Sequence, residues 1–165
     1  MAANPDKIEI LRASSKKETP HRKIKESVYG IQSIDNGNQV NSGSMTGCHL
    51  VIGANSNQKF LSHNNEWKDE TLRGTQNCID TIGREGSYYL FLTTKSLREF
   101  KNYKNVEDYV IGMEKLYGVE FEQVYYVDDT NLNRVEVDFN FETGKMTVDG
   151  INEKVVADGI KVEFS

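Results

Sequence analysis

Cysteine, proline and tryptophan are scarce in this chain: two, two and one among 165 residues. Cys48 and Cys78 are too few for a disulfide framework and have no zinc-type spacing. Free thiols in a reducing compartment are the simple expectation, although one bridge stays open as an alternative. No apolar run approaches the roughly 18 residues that span a bilayer, so no membrane span is expected. Met1-Ala2-Ala3-Asn4-Pro5-Asp6-Lys7 contains no apolar h-region, and no Sec-type signal is expected there. The expected location is the cytoplasm, or a target cell reached by a signal-peptide-independent route. P-loop, dinucleotide-fingerprint and serine-elbow motifs are also missing.

Aromatic residues are not scarce. Eight Tyr and seven Phe argue against global disorder, and the length suits one domain of ordinary size. The net charge of −5 is unevenly spread. Residues 1–27 hold seven Lys/Arg against four Asp/Glu, whereas the remainder holds 13 against 21. An acidic body disfavours nucleic acid as the main partner.

Residues 1–26 read as a flexible basic arm, and 27–165 as a single catalytic domain. Within the arm, Lys7–Leu11 is open to a short strand or a turn of helix. Ser27–Ile34 reads as a strand and Asp35-Asn36-Gly37-Asn38 as a turn. Asn41–Gly47 reads as a small-residue loop. Residues 48–64 read as a hairpin with both faces apolar: Cys48, Leu50, Ile52 and Leu61 on one, Val51 and Phe60 on the other. Helices are expected over Thr71–Ile82, from Thr94, and from an Asn105 cap to Gly118; Ser87–Thr93 is a buried strand. Beyond Gly118 the period becomes two. Strands are expected over 119–127, 134–141, 145–148 and 160–164, with a turn at Asp149-Gly150. The fold class is α+β: β-sandwich-like mixed sheets with helices packed outside.

The chemistry concentrates in the hairpin. With Asn55-Ser56 as its two-residue loop, Cys48 faces His63 across the strands, with Cβ atoms about 4.5–5.5 Å apart. An imidazole at that distance can take the thiol proton and produce a nucleophilic thiolate. Gly43 and Gly47 permit turns closed to other residues. Loop N–H groups around Thr46, Gly47 and Cys48 are candidates to stabilise an oxyanion. Ser42, Ser44 and Thr46 supply hydroxyls to orient the His63 ring, and backbone carbonyls are equally able.

Thr46-Gly47-Cys48 ahead of a strand, with His63 fifteen residues on, resembles the Ser-Gly-Cys plus His signature of the Cys–His glutamine deamidase superfamily. That superfamily includes the cytotoxic necrotizing factor catalytic domain, Burkholderia lethal factor and the chemoreceptor glutamine deamidase. The match covers about residues 42–63, with Thr46 in place of the usual Ser, and Asn64-Asn65-Glu66-Trp67 follows none of the three. The resemblance implies a β-sandwich flanked by helices and deamidation of glutamine side chains on a target protein through a thioester. It implies Cys48 as nucleophile, His63 as base and acid, and Ser42 as the matching position for a third partner. A bacterial effector or toxin hydrolase would fit. No cofactor and no metal are expected.

Other residues read differently. Cys78 is expected in the core of a helix face. His49 points to the sheet face opposite Cys48, which disfavours a Cys–His–His metal site. His21 carries no signal, and Trp67 is open to the site mouth, the core or the rim. Asp128-Asp129-Thr130-Asn131 reads as a turn more than a cation loop. The face Glu136, Asp138, Asn140 reads as a solvated surface, open to a basic partner. The competing functions are a thiol protease or acyltransferase, and a non-enzymatic acidic binding or immunity-type protein.

Overall fold

A computed structural model describes residues 7–15, 32–33, 39–64, 69–99, 103–151, 153–155 and 161–163. The chain runs β1 (Ile8–Leu11), β2 (Ser14–Ser15), β3 (Gln32–Ser33), β4 (Gln39–Met45), β5 (His49–Ala54) and β6 (Gln58–Asn64). It continues through α1 (Asp69–Ile82), β7 (Ser87–Thr93), α2 (Thr94–Glu99), α3 (Val106–Tyr117) and β8 (Gln123–Val127). It closes with β9 (Arg134–Asn140), β10 (Lys145–Ile151), β11 (Glu153–Val155) and β12 (Lys161–Glu163). A six-stranded sheet has the order β1-β8-β7-β5-β6-β3, a four-stranded sheet the order β2-β10-β9-β4, and β11 pairs with β12. The protein is α+β, with two large sheets stacked as a sandwich and helices on one outer face.

The alternating side chains of the central strands explain these layers. Leu50, Ile52, Leu61, Phe91, Tyr125 and Val127 of the six-stranded sheet meet Val135, Val137, Phe139, Met146 and Val148 of the four-stranded sheet. On the opposite face, Val51, Phe60, Leu90, Leu92 and Val124 meet Cys78, Ile79 and Ile82 of α1, Leu97 of α2, and Val110 and Met113 of α3. Strands β5 and β6 are therefore covered on both sides, as the apolar residues on both hairpin faces predict. Full burial of each large apolar side chain contributes about 1.5–3 kcal/mol, so this doubly covered strand pair is the rigid centre of the fold.

Helix α3 has the expected ends. Asn105 accepts the Asp108 N–H at 2.8 Å, Glu107 and Asp108 lie in the first turn, and Gly118 closes the helix at φ 69°.

Several boundaries differ from the expectation. Residues 8–11 of the stretch read as an arm form β1, parallel to β8, because Ile8–Leu11 extends the sheet edge along Val124–Val127. Residues 16–26 lie outside the described set, as do the turn at 35–38 and most of the strand read over 27–34. Asn41–Gly47 is not a free loop. Most of it belongs to β4, because β9 offers it a ladder. Asp149-Gly150 is strand instead of turn. Pairing with β9 runs on to Ile151 opposite Arg134, and a Cβ on Gly150 would sit 2.9 Å from Leu132, so glycine serves close approach there. Residues 119–122 join α3 to β8 without being strand themselves.

Candidate functional site

The hairpin turn decides how Cys48 and His63 lie relative to each other. Asn55 stays in the ladder: its N–H reaches Gln58 O at 2.9 Å, and its side-chain oxygen accepts the N–H groups of Asn57 and Gln58 at 2.8 and 2.7 Å. The two-residue loop is consequently Ser56-Asn57, one place later than the sequence pattern indicates. Leu50 faces His63, so Cys48 lies diagonal to His63 instead of directly opposite. The slip is two residues, and a slip of two keeps every side chain on its face. Cys48 clusters with Leu50, Ile52 and Leu61 in the layer between the sheets. His63 turns into the same layer, toward β4. Diagonal neighbours have Cβ atoms within about 7–8 Å, inside the reach of a long side chain such as His.

A bulge in β4 supplies the partner of His63. Asn41 pairs with Asp138 and Ser44 with Glu136, so Ser42 and Gly43 together oppose Val137. Gly43 sits at φ 75°, a left-handed conformation that favours glycine. The Ser42 hydroxyl accepts the Val137 N–H at 2.9 Å and donates to Gly43 O at 2.7 Å. It repairs the bulge and does not orient the imidazole. That task falls to the Ser42 carbonyl, which lies 3.0 Å from His63 Nδ1. A carbonyl only accepts, so Nδ1 carries the hydrogen and Nε2 is the basic nitrogen of the neutral ring.

The loop ahead of the thiol is also held. Gly47 has φ 75°. The Thr46 hydroxyl donates to Asn133 O at 3.0 Å, tying this turn to the β8–β9 connection. Cys48 Sγ lies 3.7 Å from Thr46 O, a weak thiol–carbonyl contact. Both Cys48 and His63 are buried, at 4 % exposure each.

On the helix side, His49 is fully enclosed. Its Nε2 and Nδ1 each meet a tyrosine hydroxyl, of Tyr117 and Tyr109, at 2.8 Å. Burial, and secondarily the charge of nearby His63, lowers its pKa to about 3. His49 is thus a neutral structural wedge on the sheet face opposite Cys48. Further along β6, Ser62, Asn64 and Thr75 form a buried polar knot. Thr75 Oγ1 donates to Asn64 Oδ1 at 2.6 Å, Ser62 and Thr75 share a hydroxyl contact, and Asn64 Nδ2 reaches Ser62 O at 3.2 Å. The knot clamps α1 to the strand end that carries His63. No apolar periodicity marks these polar residues, so nothing in the sequence pattern singles them out.

The remaining candidates separate from the pair. Cys78 is core, and burial pushes its thiol up to about 11. Asp128 caps a turn: it accepts the Thr130 N–H and the Thr94 hydroxyl at 3.0 Å, and the Thr130 hydroxyl most of all holds its carboxyl low. Asp129 is buried and accepts the Lys95 N–H at 3.0 Å. Glu136 is only 8 % exposed and Asn41 Nδ2 donates to Asp138 at 2.6 Å, so this face is not openly solvated. Strand β9 runs between β10 and β4, and neighbours flank its outward side chains. His21 and Trp67 lie outside the described residues. A groove of about 850 Å³ between the C-terminal ends of α1 and α3 contains none of Ser42, Cys48 and His63. Among the described residues, no group of three or more His, Cys, Asp or Glu is placed to hold a metal ion, and no helix is long and apolar enough to cross a membrane.

No family model and no curated protein matches this chain. The arrangement of a thiol, an imidazole on the same sheet face and a carbonyl behind the imidazole stands on its own chemistry.

Proposed function

We propose that the protein is a cysteine-dependent glutamine deamidase acting on a partner protein. The reading is carried by His63, which shares the inter-sheet face of Cys48 and gives its Nδ1–H to Ser42 O at 3.0 Å. This contact leaves Nε2 as the proton acceptor. In the reaction, Nε2 takes the Cys48 proton and Sγ adds to the carboxamide carbon of a substrate glutamine. The oxyanion that forms lies against N–H groups of the Thr46-Gly47-Cys48 turn. The imidazolium returns its proton to the departing nitrogen, ammonia leaves, and a thioester remains. His63 then activates water, which hydrolyses the thioester to glutamate and frees the thiol. No cofactor enters this cycle. An effector or toxin that modifies a cytosolic protein of a target cell fits the chemistry and the resemblance of residues 42–63.

The test is direct. A cytosolic protein extract is incubated with the wild type, Cys48→Ala and His63→Ala, and Gln-to-Glu conversion is mapped by peptide mass spectrometry. Site-specific conversion by the wild type alone is expected. Equal conversion by all three refutes the reading, and backbone cleavage without conversion replaces it with a thiol protease.

A further inference from the structure

We infer that Ser96 is a positioning residue for the Cys48 nucleophile, an inference that rests on the deamidase reading of Cys48. Strand β7 ends at Thr93 and α2 begins at Thr94 with no linker. Pairing of β5 with β7 runs only as far as Leu50 opposite Phe91, so the Cys48 carbonyl lies beyond the last pair, where β7 gives way to helix. A buried carbonyl needs a donor. Ser96 supplies it: its hydroxyl donates to Cys48 O at 2.8 Å.

The same hydroxyl belongs to a reciprocal helix cap. The Ser96 N–H donates to Thr93 Oγ1 at 3.3 Å, and the Thr93 N–H donates to Ser96 Oγ at 2.9 Å. A serine hydroxyl has one proton and the Cys48 carbonyl has none to give. The Ser96 proton is therefore committed to Cys48, and the 3.2 Å contact between the two hydroxyls uses the proton of Thr93. Thr93 and Ser96 are both 0 % exposed, which leaves no solvent route to a substitute donor.

The bond matters because of what precedes it. Gly47, at φ 75°, is the most permissive joint in the turn. On the N-terminal side, the Thr46 hydroxyl ties the turn to Asn133 O, one residue ahead of this joint. From the C-terminal side, the Ser96 bond pins its carbonyl and with it the direction of the Cα–Cβ bond toward the layer that holds His63. Helix α2 thus aims the nucleophile through one hydroxyl. Lys95 and Asp129 hold the start of that helix in turn, through the 3.0 Å bond from Lys95 N–H to the Asp129 carboxylate.

The experiment measures the pH dependence of Cys48 alkylation by iodoacetamide in the full chain, with peptide-resolved mass spectrometry to separate Cys48 from Cys78. Wild type, Ser96→Ala, Ser96→Thr and Thr93→Val are compared, with thermal melts on each. Thr93→Val breaks the cap hydroxyl but keeps the Ser96 bond to Cys48 O, so it reports the cost of a weakened cap alone. Ser96→Ala is expected to shift the alkylation profile toward that of an ordinary thiol. It should also lower kcat about 10–100-fold with little change in KM, the loss associated with ångström-scale misplacement of a reacting group. Ser96→Thr is expected to restore the profile, and Thr93→Val to leave it at that of the wild type. A hyper-reactive wild type with an unchanged Ser96→Ala profile overturns the inference alone, as does an equal shift in Thr93→Val. An ordinary thiol profile in the wild type overturns the nucleophile reading itself.

Discussion

Replacing His49 by Gln should flatten the acid limb of the stability curve. In the folded chain His49 is enclosed between Tyr109 and Tyr117, and its pKa lies at about 3, against an ordinary value of 6.5. The native state therefore keeps the ring neutral while the unfolded state protonates it below pH 6.5. A depressed histidine has its full stabilising effect above pH 6.5 and loses it progressively as pH falls toward 3. Each pH unit inside that window costs about 1.4 kcal/mol. Between pH 7.5 and 5.0 the loss from this one ring is about 2 kcal/mol. The low carboxyl of Asp128 acts only as pH falls toward and below its ordinary value of 3.8, outside the range from pH 7.5 to 5.0. The assay is urea unfolding followed by tyrosine and tryptophan fluorescence at pH 7.5, 6.5, 5.8 and 5.0. His49→Gln is expected to be less stable at pH 7.5, because it cannot reproduce both tyrosine bonds. The slope between pH 6.5 and 5.0 should nevertheless be shallower than that of the wild type by about 1 kcal/mol per unit or more. Parallel slopes for the two proteins would show that the ring is charged or exposed in the folded state, and the account of His49 as a neutral wedge would fail.

Two further substitutions probe other parts of the structure. Gly47→Ala forces a side chain into the left-handed region at φ 75° and should cost about 1–2 kcal/mol in urea unfolding, with a larger proportional loss of deamidation than of stability. A variant as stable as wild type would show that the turn does not need glycine. Lys59 is buried, and among the described residues its Nζ meets no hydrogen-bond partner, only the Phe141 ring at 5.3 Å. Lys59→Met should consequently raise stability by about 1–2 kcal/mol, and a lower melting temperature would contradict this reading of the site.

The parts of the fold that rest on periodicity were legible. The apolar run of Ser87–Thr93, the alternation in Arg134–Asn140 and the Asn105 and Gly118 ends of α3 follow from side-chain pattern and capping chemistry that act locally. The sequence pattern puts the hairpin turn one residue early because Asn55 is equally suited to the loop and to the place just before it. The tertiary structure uses its side chain in the second way. The faces of Cys48 and His63 survived that error because the ladder slipped by two. Strand β4 was illegible for a different reason: Asn41 to Met45 has little apolar signal and becomes a strand only because β9 lies beside it. The role of the Ser42 carbonyl has no residue-type signature, since every residue carries one. The Thr93–Ser96 cap did leave a trace, two hydroxyl residues three apart at a strand-to-helix junction.

His63 hangs on β6 while the oxygen that steadies it hangs on β4, in the opposing sheet. Spacing between the two leaves of the sandwich thus sets how the His63 ring is held, and under the deamidase proposal it governs proton transfer as well. A swelling that loosens one leaf from the other, well short of unravelling either, would release the ring while most of the backbone remained folded, and on the proposed chemistry it would silence the thiol.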